Sequence, residues 1–189
     1  MFGQGHLLIF GDLLKLESTK AYEEINNINK LKTILLEYLD DYNITATSKM
    51  NLVFFEDAIA HISRVARVLR QPRGNMMLIG VGGSGKQSLT KLSCHMLGYT
   101  PRQVEITKNF GTEQFREFIK ELMFSSGIDG TNLCLVLTDT QIVKESFLED
   151  INNILNTGDV PNLFLPEDYD KIVTSVRPIL VEMKRIDTV

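Results

Sequence analysis

The sequence has no tryptophan, only two cysteines and five prolines in 189 residues, and no excess of positive charge. A net charge of −4 offers no basic surface for a nucleic-acid backbone, so we expect no nucleic-acid partner. No segment approaches the roughly 18 apolar residues of a membrane span, and the apolar N-terminal stretch follows no Lys or Arg, unlike a signal peptide. We therefore expect a cytoplasmic protein with no membrane partner.

The two cysteines are Cys94 and Cys134, which form no C-x-x-C pair. One falls in a predicted helix and the other in a predicted core strand, so we expect buried, reduced thiols. The length and the 43% hydrophobic content suffice for one domain with its own core, or for one domain with a helical preface.

A glycine-rich segment is the most informative feature that is present. The apolar residues 76–79 have the length and character of a buried strand. They run into the G-x-x-x-x-G-K pattern of a P-loop, in which glycines let successive backbone N–H groups converge on a phosphate. A following helix adds its positive end, and Lys86 would reach the β- and γ-phosphates of ATP or ADP. The predicted nucleotide-binding residues are Gly80, Val81, Gly82, Gly83, Ser84, Gly85, Lys86, Gln87 and Ser88.

The position after the lysine departs from the usual P-loop. A Ser or Thr hydroxyl normally binds Mg²⁺ there, and this chain has Gln87. Ser88 comes one residue later, about 100° further around a helix. Gln87 is therefore the candidate Mg²⁺ ligand, through a longer and weaker amide oxygen. Binding is predicted, and hydrolysis is left open.

The rest of the chain alternates helical and extended patterns. Apolar periodicity predicts helices over 22–42, 52–69, 112–124, 145–156 and 168–184, the last interrupted by Pro178. Thr112 is the expected N-cap of the third helix, which a loop over 125–130 follows. The residues of the second helix expected to face the core are Phe55, Ile59, Ile62, Val65 and Leu69. Residues 103–107 and 133–137 are predicted strands, and 1–16 is either a strand or an ordered arm. Strands separated by helices in this order predict an α/β fold, with a parallel sheet flanked by helices and an N-terminal helical lead-in.

An acidic residue follows the second of these strands, in Thr138-Asp139-Thr140. P-loop nucleotidases use an acid at such a strand end for the Mg²⁺-bound water, and ATPases add a glutamate that activates water. Two registers remain open. Either Asp139 is the metal-binding acid and Thr140 replaces the glutamate, or Thr138 replaces the metal acid and Asp139 is catalytic. In both registers, either the metal-binding acid or the catalytic acid is missing.

Four stretches resemble the fourth AAA+ module of dynein heavy chains, more the axonemal than the cytoplasmic type. They are GVGGSGKQSLTKL (80–92), VEITKNFGTEQFREFIK (104–120), LTDTQIVKESFLEDINNILNTGDVPNLF (137–164) and NLVFFEDAIAHISRVARVLRQPRGN (51–75). The resemblance implies a microtubule motor of the axoneme of cilia and flagella, with six AAA+ modules in a ring. In that ring the first module is the main hydrolytic site, and the fourth binds nucleotide and tunes the motor.

The resemblance also implies partners. These are neighbouring AAA+ modules of the same heavy chain, with intermediate chains, light chains and microtubules reached only through the full-length motor. Two parts are predicted, an arm and helix over 1–48 and an incomplete P-loop core over 49–189. The lid and sensor strands of an AAA+ module are expected to be truncated, so we expect a fragment or a shortened form.

Three functions are compatible with these patterns. The first is a regulatory ATP/ADP site with Mg²⁺ and weak or no hydrolysis, so enzymatic turnover is an open question. The second is a structural ring segment that acts through inter-module contacts. The third, a free-standing P-loop enzyme such as a small kinase, is disfavoured because no arginine-rich lid follows the acidic strand.

Overall fold

Helices and short strands alternate in the computed structural model, which describes residues 8–14 and 22–185. The chain divides into two compact units, residues 1–99 and 100–189, and each is described by itself. The elements of the first unit are β1 (Phe10–Gly11), β2 (Glu23–Glu24), α1 (Ile28–Thr45), α2 (Glu56–Arg70) and α3 (Lys86–Leu97). Those of the second are β3 (Thr100–Gln103), α4 (Thr112–Gly127), β4 (Leu133–Val136), a 3-10 turn (Asp139–Gln141), α5 (Ser146–Asn156) and α6 (Pro166–Glu182).

The first unit is built on three helices that share one apolar core. Both α1 and α2 contact α3, which follows the glycine-rich segment. The helical stripes predicted from periodicity supply most of the core, as the buried positions show. These core residues include Leu31, Leu35, Leu39, Phe54, Ile59, Ile62, Leu92 and Met96.

The first predicted helix begins six residues later than expected. Residues 23–24 are instead a strand, and Glu24 pairs antiparallel with Phe10 of β1. Asn27 then caps α1, because its side-chain oxygen accepts the N–H of Lys30 at 2.9 Å. The segment expected over 1–16 as a strand or an ordered arm includes β1, and its parts at 1–7 and 15–16 lie outside the described residues.

The start of α2 also differs from the prediction, which placed Phe55 inside the helix and in the core. Glu56 is the first helical residue, and the backbone at Phe55 is still extended. Neighbouring side chains of an extended segment point to opposite sides, so Phe54 is buried at 2% exposure while Phe55 is 62% exposed. Ile59, Ile62 and Val65 are buried as predicted.

The second unit contains the parallel sheet. Strands β3 and β4 pair in parallel, with Thr100 opposite Leu133, and α4 lies against β4. The α/β class is therefore confirmed. The predicted strand at 103–107 is displaced, because its ladder with β4 ends at the pair Gln103 and Val136.

Helix α4 begins at Thr112 as predicted, but Thr112 is not its N-cap. Gly111 takes that position, and its N–H donates to the side-chain oxygen of Gln114 at 2.9 Å. The helix also continues three residues beyond Phe124, into the segment predicted to be a loop.

The last helix is continuous, in contrast to the prediction that Pro178 interrupts it. Helix α6 runs unbroken from Pro166 to Glu182. Pro178 lacks an N–H, so one helical bond is missing without ending the helix. All side chains of α6 keep some exposure, and ionic and aromatic contacts hold it to α4. Lys120 bonds Asp168 at 2.6 Å, and Lys171 lies 4.7 Å from the ring centre of Phe124.

A bidentate ion pair joins α4 to α5. The Nε and Nη2 atoms of Arg116 donate to the two carboxylate oxygens of Asp150, at 3.0 and 2.8 Å. Asp150 is buried, and its hydrogen bond raises the pKa of Arg116. On the same two helices, the rings of Phe115 and Phe147 stack with centroids 4.2 Å apart.

Of the two thiols expected to be buried, Cys94 is buried and Cys134 is half-buried. None of the described helices is long and apolar enough to cross a membrane.

Candidate functional site

The glycine-rich loop connects residues 76–79 to helix α3. Gly83 and Gly85 have φ angles of 76° and 80°, in the left-handed region that side chains rarely adopt. The N–H of Ser84 donates to the carbonyl of Val81 at 3.3 Å and closes the loop. A Cβ on Gly82, Gly83 or Gly85 would meet no atom within 4 Å, so the loop presents open space along this stretch. The glycines at 83 and 85 are therefore required by backbone conformation, not by crowding.

The N-terminus of α3 faces the loop with unpaired donors. The first helical bond runs from the N–H of Leu89 to the carbonyl of Gly85, at 2.8 Å. The N–H groups of Lys86, Gln87 and Ser88 precede that bond, so the helix offers them no acceptor. Together with the positive end of the helix dipole they favour an anion.

The side chain of Lys86 folds over the loop. Its Nζ lies 2.7 Å from the carbonyl oxygen of Gly80, 2.8 Å from that of Val81 and 3.2 Å from the Ser84 hydroxyl. An ammonium has three N–H donors, and these three acceptors can use all of them. The loop thus holds a positive charge beside its open backbone donors.

The two candidates for the Mg²⁺-ligand position differ in exposure. Gln87 is exposed on the first turn of α3, and Ser88 is half-buried. Within the described residues, no group of three or more His, Cys, Asp or Glu side chains forms a metal cluster. Gln87 as the metal ligand stays a prediction.

The strand predicted before the loop is not formed. No ladder in the described part of the chain includes residues 76–79, and Met77 and Ile79 are 83% and 88% exposed. Met76 and Leu78 are less exposed, at 40% and 37%, so the alternation of a strand is present. An extended segment becomes a strand only when a neighbour accepts its backbone hydrogen bonds, and apolar character alone does not supply one.

The acidic strand end has a different construction. Gln141 accepts the Thr138 N–H at 2.9 Å and lies 3.1 Å from the Thr138 hydroxyl, and its own amide donates to the carbonyl of Val104 at 2.5 Å. Asp139 opens the 3-10 turn and is exposed. Sequence reasoning missed Gln141, although Thr138-x-x-Gln141 has the spacing of a capping box. Both registers of Asp139 stay predictions.

These features define a class of protein. A left-handed glycine loop, a lysine bonded across it and a helix N-terminus directly behind have the arrangement of a P-loop.

Comparison with known proteins gives the family. The family described as "P-loop containing dynein motor region D4" matches residues 50–188, and the chain belongs to it. The resemblance to the fourth module of dynein heavy chains and the AAA+ assignment of the α/β fold are thereby confirmed.

Three relatives show the extent of the similarity. The chain is 47% identical over 174 residues to human dynein axonemal heavy chain 6, which covers 90% of this chain and 4% of that protein. It is 46% identical over 176 residues to rat dynein axonemal heavy chain 1, covering 93% of this chain and 4% of the relative. It is 43% identical over 182 residues to human dynein axonemal heavy chain 2, and the match covers 96% of this chain and 4% of the relative. The chain thus spans 4% of the length of these relatives.

Proposed function

We propose that the chain is an ATP- and ADP-binding AAA+ module of an axonemal-type dynein heavy chain. The observation that supports this most is the combination at residues 80–88 of open backbone donors, two left-handed glycines and the bonded ammonium of Lys86. The backbone N–H groups would hold the β-phosphate. Lys86 would contact the β- and γ-phosphates, and the end of α3 would add its dipole.

The loop also fits a magnesium-bound nucleotide. Mg²⁺ in such sites takes few protein ligands beside phosphate oxygens and water, so a multi-carboxylate cluster is not needed. Gln87 would offer its amide oxygen from the first turn of α3, and Asp139 would hold the Mg²⁺-bound water or act as the catalytic acid-base group. The ion would supply charge neutralisation at the phosphates.

We further propose a regulatory site with weak or no hydrolysis. The usual Ser or Thr hydroxyl is replaced by Gln87, and one of the two acids around Asp139 is missing. Thr138 is no substitute for an acid, because its hydroxyl bonds the side chains of Thr140 and Gln141 at 3.0 and 3.1 Å. The site would sense nucleotide and contribute little turnover.

The cellular setting follows from the relatives, which are named as axonemal dynein heavy chains. We place the chain in the cytoskeleton of the axoneme of cilia and flagella, in contact with neighbouring AAA+ modules. Intermediate chains, light chains and microtubules would be reached only through a full-length motor. We also propose that 1–48 is a lead-in and 49–189 the P-loop core.

A second candidate is a structural ring segment that acts through inter-module contacts and does not depend on nucleotide. One observation favours it: the acceptors of Lys86 all belong to its own loop, which can therefore hold its shape by internal bonds.

Calorimetric titration with ADP and with Mg·ATP tests the proposal and separates the two candidates. Saturable binding by the wild type and its loss in Lys86→Ala are expected, because charge-assisted contacts are about twice as strong as neutral ones. Lys32→Ala is the matched control, since Lys32 is exposed on α1 and should leave the affinity unchanged. Equal affinity of Lys86→Ala and wild type would reject the phosphate assignment, and no binding at all would favour the structural segment.

A further inference from the structure

The hydroxyl of Ser84 accepts a hydrogen bond from Lys86. It thereby takes up one of the three N–H donors that the ammonium could offer to a phosphate. The two carbonyl bonds of the ammonium are short, at 2.7 and 2.8 Å, and the bond to Ser84 Oγ is longer, at 3.2 Å. A longer bond to a neutral hydroxyl is the weakest of the three and the first to exchange.

The hydroxyl is held in this place by the shape of the loop. A Cβ added to Gly80 would lie 3.2 Å from Ser84 Oγ and 3.7 Å from Lys86 Nζ, so both groups lie close against the first glycine. Ser84 itself is exposed, and its N–H closes the loop on Val81 at 3.3 Å. The backbone of Ser84 therefore shapes the loop, whereas its hydroxyl accepts a bond from the ammonium.

We propose that Ser84 is a positioning residue whose hydroxyl competes with the nucleotide phosphate for Lys86. The inference rests on the proposed nucleotide-binding function. With nucleotide, Lys86 keeps its bonds to the Gly80 and Val81 carbonyls and exchanges Ser84 for a phosphate oxygen. The exchange costs one hydrogen bond, so Ser84 lowers the affinity of the loop.

The first test compares ADP affinity in wild type, Ser84→Ala and Ser84→Thr. Removing the competing hydroxyl should tighten binding by about two- to tenfold, the equivalent of one net hydrogen bond. Ser84→Thr keeps a hydroxyl and should bind like the wild type. Ser126→Ala is the control, because that exposed serine bonds the Met123 carbonyl in its own helix.

The second test needs no nucleotide. Reductive methylation of Lys86, followed by mass spectrometry, should proceed faster in Ser84→Ala, because the amine no longer has the Ser84 hydroxyl as a hydrogen-bond partner and is freer to reach the reagent. Ser84→Thr should label at the wild-type rate. A merely structural role of Ser84 would not change labelling at this one lysine.

The outcomes separate the two claims. Tighter ADP binding together with faster labelling supports the competition. Unchanged or weaker ADP binding by Ser84→Ala, with normal binding by the wild type, overturns the inference and leaves the proposed function standing. Equal labelling in the two proteins also overturns it. Absence of ADP binding by the wild type, whatever the labelling, rejects the proposed function and the competition with it.

Discussion

The glycine-rich loop at residues 80–88 and the acidic turn at 138–141 differ in how many of their polar groups are already hydrogen-bonded. In the loop, the first N–H groups of α3 have no helical acceptor and two glycines keep the backbone in the left-handed region. In the turn, Gln141 accepts from Thr138 and donates to Val104, so most polar groups are already bonded. The loop leaves backbone donors open, as the proposed anion site requires, whereas the polar groups of the turn mostly bond one another. Binding and catalysis have separate structural requirements, so the two can be tested separately.

The largest effect that this difference predicts is a near absence of turnover. The chain lacks the usual metal hydroxyl and one acid, and arginine fingers supplied by a neighbour are worth about 10³ to 10⁵ in rate. We expect ATPase activity of the 189-residue chain near background in a coupled phosphate-release assay. Asp139→Asn should leave it unchanged, with Asp159→Asn as the control. Turnover of about 1 s⁻¹ that disappears in Asp139→Asn would show that the turn is catalytic.

A second prediction is that the second unit can be destabilised without a change in the ADP affinity of the loop. Asp150→Asn should lower the free energy of unfolding by about 1–3 kcal/mol, because Arg116 loses charge-assisted bonds to a buried carboxylate. Arg116 is partly exposed, so this cost is expected to be smaller than that of breaking a fully buried pair.

Urea denaturation of this variant and of Glu149→Gln, an exposed neighbour on α5, provides the measurement. ADP affinity of the folded variant should equal that of the wild type. A cost no larger than that of Glu149→Gln would show that the ion pair contributes nothing measurable.

A third prediction concerns the pH dependence of α6 docking. The bond to Lys120 lowers the pKa of Asp168, and the Leu165 N–H lowers it further. The folded pKa thus lies below the unfolded value of about 3.9, so this stabilisation is present at pH values above about 4 and is lost as the pH falls through the folded pKa. The raised pKa of Lys120 acts at the other end, and its contribution is lost only as the pH rises above about 10.

Thermal denaturation between pH 7 and pH 2 checks this. The wild type should lose more stability on acidification than Asp168→Asn, whereas the exposed neighbour Asp170→Asn should follow the wild type. Parallel curves for all three proteins would exclude the Lys120 contact as a source of acid sensitivity.

The smallest expected effect concerns which residue of the loop binds Mg²⁺. Gln87→Ser should strengthen the Mg²⁺ dependence of ATP binding, because a compact hydroxyl suits the short octahedral coordination of Mg²⁺. Metal-free ADP binding should barely change, since Lys86 and the backbone donors remain. If Ser88→Ala weakens Mg·ATP binding instead and Gln87→Ser has no effect, the loop register is shifted by one residue.

The sequence predicted the local features of both regions well. Helix α3 follows Gly85 as expected, and β4 and α5 lie within one residue of their predicted bounds. Glycine spacing, apolar periodicity and the Thr157-Gly158 stop are local signals, and they act wherever the segment lies in the fold.

The misses depend on partners that are distant in sequence. Residues 76–79 have strand character without a ladder, and β3 ends where β4 ends. Arg116 and Asp150 are 34 residues apart, and no periodicity in either helix predicts their pairing. Sequence patterns indicate which side chains are buried or need a hydrogen-bonding or ionic partner. Tertiary packing determines which residue that partner is.

The central claim is that nucleotide binds to the open donors at residues 80–88, and the most direct measurement is a ¹H–¹⁵N NMR titration with ADP. Saturable shifts of the backbone amides of Gly82 to Ser88 are predicted, because these N–H groups would exchange water for phosphate oxygens. Lys86→Ala should remove the shifts at the same ADP concentrations. Amide resonances of Gly82 to Ser88 that stay in place at saturating ADP would contradict the account.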